Sequence, residues 1–144
     1  MNDLECRLLL VDDERAFSEA LARRLTHRGA EVMCAASGEE AVAVLKHDIF
    51  DVVVLDVKMP GIGGMGVLKH IRKYAPETEV IMLTGHADMD DAIRGMELGA
   101  YDYLLKPVNF TILLHRLQDA TSQQPAEQNR AVPKERTGTS IEDT

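Results

Sequence analysis

Short apolar runs recur along the chain at nearly regular intervals, and longer stretches between them carry their apolar residues three and four positions apart. The runs lie at residues 7–11, 31–35, 52–55, 79–83 and 101–104; all are short, and those at 7–11, 52–55 and 79–83 are rich in Val, Leu and Ile. Runs of this length and composition predict strands. In residues 14–28 Phe17, Leu21 and Leu25 share one helical face, and in residues 38–47 Ala41, Val44 and Leu45 do the same. These segments predict helices, and further helices are expected over 64–74, 88–98 and 109–120. Gly29 and Gly99 fall where a left-handed residue ends a helix, and Ser37 with Glu40 three residues on has the spacing of a capped helix start. Strand and helix alternate five times. That alternation predicts an α/β fold: a five-stranded parallel sheet, doubly wound as (βα)5 in the flavodoxin-like manner, with strand order 2-1-3-4-5 and helices on both faces.

The ends of the apolar runs carry the chemistry. Asp12 and Asp13 follow the first run, Asp56 the third, Thr84 the fourth and Lys106 the fifth. In open α/β sheets ligands bind outside the carboxyl ends of the strands, so these groups are expected to converge. Three carboxylates within a few ångströms repel by several kcal/mol, roughly, even at an effective dielectric near 20, and such a cluster takes up protons or binds a hard cation. Mg²⁺ suits it, because Mg²⁺ prefers oxygen ligands and is commonly held by carboxylates together with a phosphate. A carboxylate there can also act as a nucleophile on phosphorus and form an aspartyl phosphate. Lys106 would neutralise the transferring group, and the Thr84 hydroxyl would donate to it.

The segments LLLVDDE, VVVLDVKMPGIGG, VIMLTGH and AYDYLLKPV occur in the order and at the spacing of one family. Over about residues 5–120 the chain resembles a response regulator receiver domain, the phosphoacceptor half of two-component signalling. The resemblance implies that Asp56 is phosphorylated, with Asp13 a direct Mg²⁺ ligand and Asp12 acting mostly through metal-bound water. It implies a further metal ligand in the backbone carbonyl of Lys58, and contact between Lys106 and the phosphoryl group. Thr84 would move toward that group while Tyr103 turns inward, changing the face made by the fourth helix, fifth strand and fifth helix. Lys58 and His86 would rim the site and tune phosphoryl lifetime, and Lys106-Pro107 would be cis. The implied phosphodonor is a sensor histidine kinase or phosphotransfer protein, and the implied output is a downstream protein target or a C-terminal effector domain. Such a domain is not an enzyme in the ordinary sense, although it assists its own phosphotransfer and dephosphorylation. A phosphorylation-dependent homodimer, with Arg94, Asp102 and Arg116 pairing between subunits, is a further expectation.

Composition narrows the alternatives. With 16 Lys and Arg against 24 Asp and Glu the formal charge is -8, which argues against binding a phosphate backbone. No apolar run approaches the roughly 20 residues that span a bilayer, so a cytoplasmic protein without a membrane role is expected. Cys6 and Cys34 have no disulfide or metal-site spacing and are expected to be reduced, buried thiols. Residues 1–120 are read as the receiver domain. Residues 121–144, with one Val and one Ile, are read as a disordered tail or truncated linker. Residues 61–66 match GxGxxG, the mark of a nucleotide-dependent enzyme, but Asp56 to Pro60 separate them from the third strand, so a loop is the better reading. A phosphorylation-independent binding module is the other alternative, and it would usually lack part of the acidic, Thr and Lys set.

Overall fold

The computed structural model describes residues 2–122. Five strands and five helices alternate: β1 (Arg7–Val11), α1 (Arg15–His27), β2 (Glu31–Ala35), α2 (Gly38–Leu45), β3 (Val52–Asp56), α3 (Gly63–Tyr74), β4 (Glu79–Thr84), α4 (Met89–Glu97), β5 (Asp102–Leu105) and α5 (Phe110–Ser122). All neighbouring strands pair in parallel, in the order β2-β1-β3-β4-β5. This is the predicted topology. The disordered tail expected over 121–144 lies outside the described residues, apart from residues 121 and 122, which continue α5.

Alternating residues of the central strands feed two separate cores. Leu8, Leu10, Val52, Val54, Ile81 and Leu83 pack with Leu21 and Leu25 of α1 and Leu113 and Leu117 of α5. Leu9, Val11, Val53, Leu55, Val80 and Met82 face Ala41 of α2 and Val67, Leu68 and Ile71 of α3. Because both faces are covered, β3 is buried at every position, and its sequence shows a continuous apolar run where a half-exposed strand would alternate. The edge strand β2 is mostly exposed, and Cys34 on it is exposed while Cys6 is half-buried. The expectation of two buried thiols is therefore corrected. An edge strand has one flank without a neighbour, and its apolar composition did not reveal that.

Helix ends follow their capping chemistry. Gly29 and Gly99 have φ of 107° and 101°, so each ends a helix in the left-handed region as predicted. The Ser37 hydroxyl accepts from the Glu40 N–H at 3.0 Å, but the Glu40 carboxylate reaches back to Ala36 N–H rather than to Ser37. Asp56 and Thr84 are the last residues of β3 and β4, one position beyond the predicted ends. The fifth strand is shifted one residue along, from 101–104 to 102–105. A single turn of 3₁₀ helix, His86–Asp88, precedes α4.

Candidate functional site

Register places the strand-end residues side by side. Val11 pairs with Leu55, so Asp12 and Asp56 leave neighbouring strands at the same level. Asp56 pairs with Leu83, and Thr84 with Leu105, which sets Thr84 beside Asp56 and Lys106 beyond Thr84. Carboxylate oxygens of Asp12, Asp13 and Asp56 all lie within 4.8 Å of one another. Asp12 and Asp56 are buried, at 1% and 7% exposure, whereas Asp13 is open to solvent.

One cation is set among these carboxylates. Lys106 Nζ lies 3.0 Å from Asp12 Oδ2, 3.7 Å from Asp56 Oδ2 and 3.6 Å from Glu14 Oε1. Its ammonium also sits 4.8 Å from the centre of the Phe17 ring. The peptide before Pro107 is cis, as expected, and the Lys106 N–H donates to the Thr84 carbonyl at 2.8 Å. Burial alone would lower the ammonium's pKa, but the Asp12 hydrogen bond and the charges of Asp56, Asp12 and Glu14 outweigh it and raise it.

Asp56 is held in the opposite balance. Its pKa is pushed up to about 6, first by burial and next by the Asp12 carboxylate. Lys106 and the Lys58 N–H, which donates to Asp56 Oδ1 at 3.3 Å, pull it back only in part. A pKa near 6 leaves Asp56 mostly ionised at neutral pH and short of positive charge. The crowded, oxygen-only donor set fits a hard divalent cation, because added positive charge is what this cluster lacks.

The surrounding loops determine what faces the carboxylates. Val57 and Met59 turn inward and are buried, which leaves the Lys58 side chain outward and exposed. Gly61 and Gly63 have φ of 77° and 67°, and a Cβ at Gly64 would lie 2.5 Å from the Asp56 carbonyl oxygen and 2.8 Å from Val57 Cα. Backbone bends at Gly61 and Gly63 and the close approach at Gly64 account for these glycines, but Gly63, Gly64 and Gly66 belong to the start of α3, so the expected loop is confined to the residues before it. The Thr84 hydroxyl is within bonding distance of two carbonyls in its own loop, Gly85 at 3.2 Å and Asp88 at 3.3 Å. Tyr103 is half-buried against the core on the α2 and α3 side of the sheet. His86 is exposed in the turn after β4.

Asp12, Asp13, Asp56 and Lys106 are therefore brought together, Thr84 stands beside them, and Lys58 and His86 occupy the rim loops. Arg116 pairs within the chain with Asp102 at 2.7 Å, and Arg94 with Asp91 at 2.9 Å, so all three residues expected to pair between subunits already have partners. Glu14 and Asp88 were not expected at the site, and Phe17 was expected only on the apolar face of the first helix. Glu14 and Phe17 lie one and four positions beyond Asp13, close enough in the chain to have been considered. Nothing in the sequence signals that Asp88 reaches Lys58, at 3.7 Å from its ammonium.

Comparison with known proteins places these features in context. Residues 8–118 match the response regulator receiver domain family. The transcriptional regulatory protein TcrA of Mycobacterium tuberculosis is 41% identical over 119 residues, covering 83% of this chain and 47% of that protein. The transcriptional regulatory protein DltR of Streptococcus agalactiae is 36% identical over 117 residues, covering 81% of this chain and 52% of that protein. A response regulator receiver domain protein from Clostridium thermocellum superposes with a TM-score of 0.79 at 37% identity, covering 82% of this chain and 95% of that one. The chain spans about half the length of the curated relatives it matches. Among the described residues no helix is long and apolar enough to cross a membrane.

Proposed function

Since the chain belongs to the response regulator receiver family, we propose that it is a phosphorylation switch in two-component signalling with Asp56 as the phosphoacceptor. The observation that carries this reading is the buried Asp56 carboxylate, grouped with Asp12 and Asp13 within 4.8 Å and 3.7 Å from the Lys106 ammonium. An Asp56 oxygen attacks phosphorus. The new O–P bond forms as the bond to the leaving group breaks, and the departing histidine nitrogen or acyl oxygen keeps the electron pair. Lys106, already oriented by Asp12 and Phe17, meets the charge of the transferring group without having to reorganise.

Mg²⁺ is the cofactor that suits this donor set, held by the carboxylates of Asp12, Asp13 and Asp56 and by the Lys58 carbonyl. When bound it supplies the positive charge that offsets three carboxylates and an incoming phosphoryl group. The phosphorylated aspartate carries nearly two negative charges and strong acceptor oxygens. Thr84 then exchanges its carbonyl partners in the Gly85–Asp88 loop for a phosphoryl oxygen, and Tyr103, half-buried beside it in the sheet, fills the vacated space. The face formed by α4, β5 and α5 changes as a result.

The donor is a sensor histidine kinase or phosphotransfer protein. The output passes to a protein target or to an effector domain, in keeping with the transcriptional regulators that this chain matches over about half of their length. The chain works in the cytoplasm, with residues 1–120 as the receiver and the residues beyond as tail or linker. Incubation with a small acyl phosphate, with and without Mg²⁺, followed by intact mass measurement, tests the chemistry. A Mg²⁺-dependent phosphoryl adduct on the native chain and none on Asp56→Asn is expected. An adduct that persists in Asp56→Asn overturns the assignment of the phosphoacceptor.

A further inference from the structure

Asp88 makes two contacts that connect the rim of the site to its interior. Its backbone carbonyl lies 3.3 Å from the Thr84 hydroxyl. Its carboxylate Oδ1 lies 3.7 Å from Lys58 Nζ, with the Asp88 side chain 16% exposed and that of Lys58 76% exposed. The acid is fixed by the end of a 3₁₀ turn, while the lysine stem is free to swing. Lys58 is also two residues from Asp56, to which its own N–H donates. Among the described residues Asp88 is the acid that pairs with the Lys58 ammonium.

We infer that Asp88 is a positioning residue that holds Lys58 away from the phosphoryl group on Asp56 and so shortens the life of the phosphorylated state. This inference rests on the reading of Asp56 as phosphoacceptor. A phosphoryl group with nearly two negative charges competes with the single charge of Asp88 for one ammonium. Lys58 that has moved to the phosphoryl group pairs with its oxygens and lays its stem across the rim, where water must enter in line with the bond that breaks. Lys58 that stays with Asp88 leaves that approach open. An exposed ion pair is worth little to stability, but a contact of that strength is enough to move a lifetime two- to fivefold.

The test is a double-mutant cycle on phosphoryl lifetime. The native chain, Asp88→Asn, Lys58→Met and the double variant are phosphorylated with an acyl phosphate and Mg²⁺, the donor is removed, and loss of the adduct is followed by intact mass. Asp88→Asn keeps the backbone carbonyl that Thr84 uses and removes only the charge, and it is expected to lengthen the lifetime two- to fivefold. In the Lys58→Met background the same substitution is expected to change nothing, and Asp88→Glu is expected to keep the native lifetime. A lifetime unchanged or shortened in Asp88→Asn, or altered by the same factor with and without Lys58, overturns the role of Asp88. A native chain that takes no phosphoryl group, or an adduct that persists in Asp56→Asn, overturns the underlying reading and this inference with it, so the native and Asp56→Asn adducts tell the two failures apart.

Discussion

Replacing Asp56 by Asn is expected to stabilise the metal-free protein, although it abolishes the proposed chemistry. The carboxylate's pKa is raised from 3.8 to about 6 by burial and by Asp12, so the folded chain binds the proton more tightly than the unfolded chain does. A group raised in this way contributes its full stability below its unfolded value, and the contribution is lost as pH rises through about 6. A difference of roughly 2 units at 1.36 kcal/mol each makes the ionised Asp56 cost about 3 kcal/mol near pH 7.5. Asn removes the charge but also takes a partner 3.7 Å from Lys106, so a net gain of about 1–3 kcal/mol is expected. The gain should fall to roughly half near pH 5 and to about half a kcal/mol near pH 4, where the carboxyl is protonated in the folded chain and partly protonated in the unfolded one. Urea unfolding followed by circular dichroism, in chelator, at about pH 7.5, 5 and 4, measures this. A variant no more stable than the native chain at pH 7.5, or a gain that does not change with pH, would refute the electrostatic account.

Other consequences can be checked in the same way. Saturating Mg²⁺ should stabilise the native chain, by about 2.7 kcal/mol at a hundredfold excess over its dissociation constant, and thermal unfolding should show most of this lost in Asp13→Asn. Gly64→Ala should cost more than about 1 kcal/mol and slow phosphorylation, because its Cβ would press on the Asp56 carbonyl at 2.5 Å. Gly63→Ala meets no atom within 4 Å and should cost only the roughly 1–2 kcal/mol of a left-handed backbone, with phosphorylation rate preserved. Arg72 donates to the carbonyls of Thr78 and Gly99, and burial lowers its pKa against the opposing charges of Glu79 and Glu77. Arg72→Met should therefore destabilise by about 1–3 kcal/mol in urea, leaving Mg²⁺ affinity unchanged.

The sheet was legible because its central strands are covered on both faces. Such strands read as unbroken apolar runs, and their ends stand out where Asp12, Asp56, Thr84 and Lys106 interrupt them. The edges were less legible. The composition of β2 resembles that of a buried strand, yet Cys34 is exposed, since a strand's place in the sheet is set by its neighbours and not by its own residues. The same limit applies within the site. Position at a strand end picks out the carboxylates, the cation and the hydroxyl, because parallel register carries them to the same level. Contacts between loops, such as Asp88 with Lys58, depend on how two turns fold toward each other, and no periodicity encodes that. The glycine run shows a third case, in which a motif resembling a phosphate loop proves to be backbone bends beside Asp56.

The central claim is that Asp56 itself carries the phosphoryl group. The most direct measurement is to treat the chain with an acyl phosphate and Mg²⁺, reduce the acyl phosphate formed with borohydride, and map the modified peptide. Reduction converts an aspartyl phosphate to homoserine and leaves unmodified carboxylates alone. The account predicts homoserine at position 56 when Mg²⁺ is present and none when it is chelated. Homoserine at position 12 or 13, or none anywhere in a folded, Mg²⁺-binding protein, would contradict it.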